Sequence, residues 1–108
     1  MNNWIDVCAA DDIAREDVIR FDHVDGRTFA IYRSPDDGYY ATDGWCTHEQ
    51  AHLSEGLVMD DIIECPKHNG RFDYRTGAAK GAPVCIDLKT YAVKLEAGRV
   101  LIEIGDKP

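Results

Sequence analysis

Cys46-Thr47-His48-Glu49-Gln50-Ala51-His52-Leu53-Ser54-Glu55-Gly56-Leu57-Val58-Met59-Asp60-Asp61-Ile62-Ile63-Glu64-Cys65-Pro66-Lys67-His68 opens and closes on a Cys/His segment. Between the segments, Leu57-Val58-Met59 and Ile62-Ile63-Glu64 are short apolar runs broken by Asp60-Asp61, which predicts a hairpin turning at the two aspartates. Cys46-Thr47-His48 and Cys65-Pro66-Lys67-His68 each follow a predicted strand. Two adjacent hairpin tips can therefore bring both segments together, and loops held by a rigid sheet are a common location for functional chemistry. Residues 46–54 and 66–83 hold most of the Cys/His chemistry and much of the Gly and Pro, so both read as irregular loops.

Outward from this stretch the chain reads as short strands. Ile5 to Val7 predicts a first strand, and the acidic Ala10 to Glu16 at most one helical turn. Val18 to Val24 is rich in β-branched and aromatic residues. Asp25-Gly26 follows as a two-residue hairpin signal, because type I′ turns need positive φ. Arg27 to Arg33 returns as the partner strand, with Thr28, Ala30 and Tyr32 on one face by the period of two. Ser34-Pro35-Asp36-Asp37-Gly38 is turn chemistry, and Tyr39 to Thr42 restarts a strand. Tyr91 to Glu96 and Arg99 to Ile104 form a last hairpin closed by Ala97-Gly98. Regularly spaced short strands indicate an all-β fold, an antiparallel sandwich or small barrel. The 108 residues are read as one domain, with no repeat or linker and with the chemistry concentrated at about 44–83.

Twelve basic against twenty acidic residues give a net charge of −8. Nucleic acid is excluded as a partner, because phosphate binding needs a cationic footprint. An acidic surface suits solubility and an encounter with a basic protein surface. No apolar run approaches the roughly 20 residues that span a bilayer, and Met1 to Asp6 has no signal-peptide pattern, so a cytoplasmic location without membrane contact is expected. Cysteine patterns in cytosolic proteins point to metal binding or catalysis before disulfides. Cys8 and Cys85, away from any histidine, read as buried, unreactive thiols.

The two Cys/His segments supply two thiolates and two imidazoles. Thiolate is the soft ligand of iron–sulfur clusters, and imidazole suits iron or zinc. Two centres are open on donor chemistry: a mononuclear zinc and a [2Fe–2S] cluster with mixed ligands. Structural Cys₂His₂ zinc sites usually run as a Cys pair followed by a His pair. Here the types alternate, Cys then His twice, which fits a dinuclear centre with cysteines on one iron and histidines on the other.

The pair C-x-H and C-x-x-H across a short hairpin resembles the Rieske signature. Asn69-Gly70-Arg71-Phe72-Asp73 and Thr76-Gly77 are similar to the stretch after the second ligand pair, and Gly81-Ala82-Pro83 to the proline loop that shields the cluster. The chain resembles, over nearly its full length, the stand-alone ferredoxins of bacterial ring-hydroxylating oxygenase systems. That resemblance implies one [2Fe–2S] cluster per chain, with Cys46 and Cys65 on the inner iron and His48 and His68 on the outer, more exposed one. It implies a Rieske-type antiparallel fold with a cluster-binding subdomain formed by two hairpin loops. It also implies a one-electron carrier that is not itself an enzyme, a monomer meeting two transient partners: a flavin-containing, NAD(P)H-dependent reductase and a terminal oxygenase of aromatic catabolism. A small subunit of another redox complex, such as nitrite reductase, and a structural zinc module are the alternatives.

Two departures from the respiratory Rieske pattern refine the expectation. The loop cysteines that form a disulfide there are missing here, and Gly70 and Phe72 replace the serine and tyrosine whose hydroxyls donate to the cluster. Fewer donors to sulfur leave the reduced cluster less stabilised, which lowers its potential.

Other residues invite simpler readings. His52 is expected as a loop or rim residue, since four ligands are already supplied. His23 is read as structural, Trp45 as core packing or a cover for the first loop, and Gly56 as a turn residue. Asp11-Asp12 and Asp36-Asp37 are read as solvated loop charges.

Overall fold

The computed structural model describes residues 4–48, 50–67, 69–81 and 86–105. Among these residues nine strands follow in chain order: β1 (Trp4–Ala9), β2 (Asp17–Asp22), β3 (Thr28–Arg33), β4 (Tyr39–Asp43), β5 (Leu57–Met59), β6 (Ile62–Glu64), β7 (Arg71–Asp73), β8 (Thr90–Glu96) and β9 (Arg99–Glu103). Two 3-10 turns, Ala10–Asp12 and Leu53–Glu55, are the only helical pieces among the described residues. The strands form a six-stranded antiparallel sheet, ordered β1-β9-β8-β4-β3-β2, and a three-stranded one, β5-β6-β7. The all-β expectation holds.

Strand β4 pairs with β8 through only Ala41 opposite Tyr91 and Thr42 opposite Thr90. Beyond that pair, the Asp43 N–H donates to the Lys89 carbonyl at 3.0 Å. The described residues between Asp43 and Lys89, including Cys46, Cys65 and the small sheet, thus form one excursion that leaves the large sheet and returns beside its point of departure.

The two faces of β3 explain how this excursion is supported. Phe29, Ala30, Ile31 and Tyr32 are all buried, so the period-two reading placed Ala30 and Tyr32 correctly but missed that the opposite face is covered too. Phe29 and Ile31 join Ile13, Ala41, Val100, Ile102 and Ile104 in one apolar cluster enclosed by the large sheet. Ala30 and Tyr32 join a second cluster with Val58 of β5, Ile63 of β6 and Phe72 of β7. The small sheet docks on the outer face of the large one. Tyr32 and Tyr74 stack across this joint with centroids 4.7 Å apart and planes 6° from parallel. The Tyr32 hydroxyl is satisfied by Thr42 Oγ1 at 2.8 Å, and the Tyr74 hydroxyl donates to the Asp60 carbonyl, so neither ring buries an orphaned oxygen.

Turn chemistry was read well at one hairpin and less well at another. Ala97 and Gly98 have φ of 51° and 77°, the paired positive values of a type I′ turn, and Glu96 faces Arg99. At the β2–β3 connection only Gly26 is left-handed, with φ 95°. The Gly26 N–H donates to the His23 carbonyl at 3.0 Å and the His23 N–H to the Arg27 carbonyl at 2.8 Å. The connection is a three-residue loop with glycine in its last position, a longer form than the Asp-Gly turn expected from sequence. The Asp60-Asp61 hairpin holds, with Met59 opposite Ile62. The segment 66–83, expected to be irregular, contains β7, which pairs Ile63 with Phe72.

Candidate metal centre

The two Cys/His segments sit in loops closed alike. The Cys46 N–H donates to the Ala51 carbonyl at 2.9 Å, and the Cys65 N–H donates to the Gly70 carbonyl at 2.7 Å. In each case the bond returns to the fifth residue after the cysteine, so both cysteines stand at the base of a loop of the same size. Cys46 is 7% and Cys65 1% exposed, and both belong to the buried cluster that holds Phe72, Leu53 and Ile63. His48, two residues beyond Cys46, is exposed. His68 lies outside the described residues, as do Glu49, Pro83 and Cys85. A hollow of about 260 Å³ is walled by Gln50 and Ala51 of the first loop and by Pro66 and Lys67 of the second, so the two loops lie side by side.

The donor set fits a [2Fe–2S] cluster in chemistry. Two thiols, neither in a disulfide, share one apolar cluster, where ionised thiolates need a compensating cation. Their burial beside an exposed histidine matches a centre with one shielded end and one end near the surface. Among the described residues no three His, Cys, Asp or Glu side chains gather closely enough to hold a single metal ion.

Glycine and hydroxyl chemistry shape the base of the site. Gly56 ends the 3-10 turn Leu53–Glu55, its N–H donating to the Leu53 carbonyl at 2.9 Å. A Cβ there would lie 2.2 Å from the carbonyl oxygen of Glu64, the residue before Cys65. Gly56 is therefore a close-approach residue as well as a turn residue. Thr47, between Cys46 and His48, donates its hydroxyl to the Ile86 carbonyl at 2.7 Å and ties the first loop to the segment returning toward β8.

His52 departs from the sequence reading. It is 2% exposed and sits beneath the first loop, not on its rim. Its Nδ1 accepts from the Ser54 N–H at 3.1 Å, so the ring caps the 3-10 turn. Its Nε2 lies 2.8 Å from Thr28 Oγ1 on β3. With Nδ1 an acceptor, the single proton of the neutral ring is on Nε2 and is donated to Thr28. Burial, and then the Arg20 guanidinium, hold the imidazole below its ordinary pKa, which keeps that neutral form at pH 7. Gly44 makes the room: a Cβ there would collide with His52 Nε2. The signal in the sequence was a glycine two residues before Cys46 and a Ser two residues after His52, neither decisive without Thr28 across the fold.

Trp45 is 47% exposed and meets His52 edge to face at 5.2 Å, so it covers the loop and is not core. Cys8 is only partly buried, and burial, followed by Asp12, raises its thiol pKa. His23 is half-buried beside Asp25. The expected solvated charges are engaged: Asp12 accepts from the Ala9 N–H at 3.1 Å, Asp36 accepts from the Ser34 hydroxyl, Asp37 binds both Arg15 and Arg33, and Asp11 lies 3.9 Å from Arg33.

Comparison with known proteins places this geometry. Residues 3–92 match the model of the Rieske [2Fe-2S] domain. The chain is 44% identical over 102 residues to the ferredoxin component of the naphthalene 1,2-dioxygenase/salicylate 5-hydroxylase systems of Ralstonia sp., covering 94% of this chain and 96% of that one. It is 45% identical over the same length and coverage to the ferredoxin component of a naphthalene 1,2-dioxygenase system of Pseudomonas aeruginosa. A chain from a solved complex of reduced oxygenase and oxidized ferredoxin in carbazole 1,9a-dioxygenase superposes with a TM-score of 0.89 at 37% identity, over 95% of this chain and 94% of that one.

Proposed function

Since this chain belongs to the Rieske [2Fe-2S] domain family, we propose that it carries single electrons from an NAD(P)H-dependent, flavin-containing reductase to a terminal oxygenase that hydroxylates aromatic rings. It is an electron-transfer component and not the catalyst, and its cofactor is a [2Fe–2S] cluster. The observation that carries the reading is the pair of buried thiols at the bases of two adjacent loops, with an exposed histidine on the first. Cys46 and Cys65 are proposed to hold the inner iron, and His48 and His68 the outer. When bound, the cluster supplies one reversible electron at a potential raised by its imidazole ligands.

The chain's own residues set how that electron enters and leaves. The cluster of Leu53, Ile63 and Phe72 excludes water from the cysteine side. His48, on the solvent side, offers a short path to a partner. Oxidised core and ligating thiolates cancel in charge, so loading leaves the net −8 of the protein unchanged and reduction makes it more acidic by one. That charge favours brief encounters with basic protein surfaces. Both partners are proposed to bind transiently, to a monomer in the cytoplasm; among the described residues no helix is long and apolar enough to cross a membrane.

The test is direct. Protein purified anaerobically should contain iron and acid-labile sulfide in equal amounts and give a mixed-ligand EPR signal on reduction. It should restore turnover of a ring-hydroxylating oxygenase by its reductase. Cys46→Ser and Cys65→Ser should lose the cluster while Cys8→Ser keeps it. Stoichiometric zinc without sulfide would refute the assignment.

A further inference from the structure

We infer that His52 is a positioning residue for the redox centre, holding the Cys46–His48 loop on the β2–β3 hairpin through Thr28 and Asp22. The inference rests on the proposed ligand role of that loop. It goes further in assigning a role to a residue outside the ligand set.

Five side chains close a circuit. His52 Nε2–H donates to Thr28 Oγ1 at 2.8 Å, and the Thr28 hydroxyl donates to Asp22 Oδ1 at 2.5 Å. Asp22 accepts from Arg20 Nε at 3.0 Å. The Arg20 guanidinium lies 5.5 Å from the centroid of the Trp45 ring, and Trp45 returns to His52 edge to face. Three members come from β2 and β3, and two from the first loop. The direction of donation is determined throughout: the Ser54 N–H occupies Nδ1, which leaves Nε2 as donor, which leaves Thr28 its proton for the carboxylate.

The loop members are the immediate neighbours of the loop's own closure. Trp45 precedes Cys46, and His52 follows Ala51, the acceptor of the Cys46 N–H. Trp45 and His52 also form a backbone bridge, and the Leu53 N–H donates to the Gly44 carbonyl at 2.8 Å. Cys46 therefore stands on a base whose two sides are fastened, through side chains, to a different part of the fold. Loosening His52 frees that base while leaving Cys46 and His48 chemically intact. The effect on the cluster would pass through ligand geometry, as for hydrogen-bonded neighbours of metal ligands generally.

Two substitutions separate the two ring nitrogens. Asparagine at 52 can still accept from the Ser54 N–H but is too short to reach Thr28; glutamine can reach Thr28 but caps poorly. Holoprotein of the wild type, His52→Asn, His52→Gln, Thr28→Val and His52→Asn/Thr28→Val is compared by EPR after reduction and by the rate of colour loss to an iron chelator. His52→Asn and Thr28→Val should each shift the EPR g-values and speed cluster loss by roughly three- to tenfold, the equilibrium equivalent of one hydrogen bond. The double variant should be no worse than His52→Asn, because both break one path, and His52→Gln should stay near the wild type. Unchanged g-values and loss rates in His52→Asn and Thr28→Val, or effects that multiply in the double variant, would overturn the inference while the cluster itself stands. If His52→Asn does not fold, Thr28→Val alone decides by the same readouts. Wild-type protein without a cluster would overturn the ligand reading, and this inference with it.

Discussion

Replacing Gly56 by alanine tests whether the close approach beneath Cys65 is structural. The backbone there is extended, with φ −86° and ψ −169°, so alanine meets no conformational penalty of its own. The methyl group, however, would lie 2.2 Å from the Glu64 carbonyl oxygen and 3.2 Å from its carbon. To restore ordinary contact the two segments must part by about 1 Å. Both sides are backbone, and Glu64 is paired with Leu57 and with Arg71, so the strain spreads into the small sheet. Overpacking of this kind costs about 1–3 kcal/mol, and rigid main chain on both sides favours the upper half, a fall in Tm of roughly 8–20 °C for a domain of this size. Because Cys65 follows Glu64, cluster retention should fall as well. Gly98→Ala is the control: its methyl would meet nothing within 4 Å, but its φ of 77° is left-handed, so only backbone strain of about 1–2 kcal/mol applies. Thermal unfolding followed by far-ultraviolet circular dichroism, with visible absorbance for the cluster, measures both. A Gly56→Ala protein that melts with the wild type and keeps full colour would refute the steric argument.

Three further outcomes are expected. Phe72 is fully buried in the cluster that holds both cysteines and carries no hydroxyl, so voltammetry should place the potential near the lower end of the Rieske range of roughly −150 to +300 mV, and Phe72→Tyr should raise it if the new hydroxyl reaches a sulfur. Asp37 is held at a pKa of about 2 by hydrogen bonds from Arg15 and then Arg33; its stabilising effect is complete above the unfolded value of roughly 3.9 and is lost as pH falls toward 2. Asp37→Asn should accordingly flatten the loss of stability across that acid window in urea titrations, and an unchanged slope would count against the pairing. Reduction of the oxygenase in stopped flow should slow as salt rises, since the net charge of −8 acts over a Debye length of about 10 Å at 0.1 M, and rates independent of ionic strength would dismiss electrostatic steering.

What the sequence disclosed and what it hid have physical causes. The Ala97-Gly98 turn and the Asp60-Asp61 hairpin were legible because their signals lie within a few adjacent residues. The Asp25-Gly26 turn was misjudged because the same dipeptide also suits a three-residue loop, and the choice falls to the His23–Arg27 pairing. Strand β7 was hidden because Phe72 stands alone between the charged Arg71 and Asp73, whereas the equally short β5 and β6 are mostly apolar and meet at the Asp60-Asp61 turn. The cysteines declared themselves by spacing and residue type. His52 could not, because its burial depends on Gly44 leaving room and on Thr28 arriving from a strand 24 residues earlier. Asp37 looked solvated for a similar reason: one of its partners, Arg15, is 22 residues away.

The alternation of β3 between two cores gives the chain a division of labour in time. Ile13, Phe29, Ile31, Val100 and Ile102 close the interior of the large sheet without either cysteine among them. A newly made chain can therefore finish that interior before any iron arrives, with the excursion between β4 and β8 left as the part still waiting to be filled. The division leaves folding and loading separable, since none of the residues that close this interior is a proposed ligand. Neighbouring positions on one strand then act as independent controls: changes at Phe29 or Ile31 bear on how long the frame survives, and changes at Ala30 or Tyr32 on how firmly it keeps its cargo.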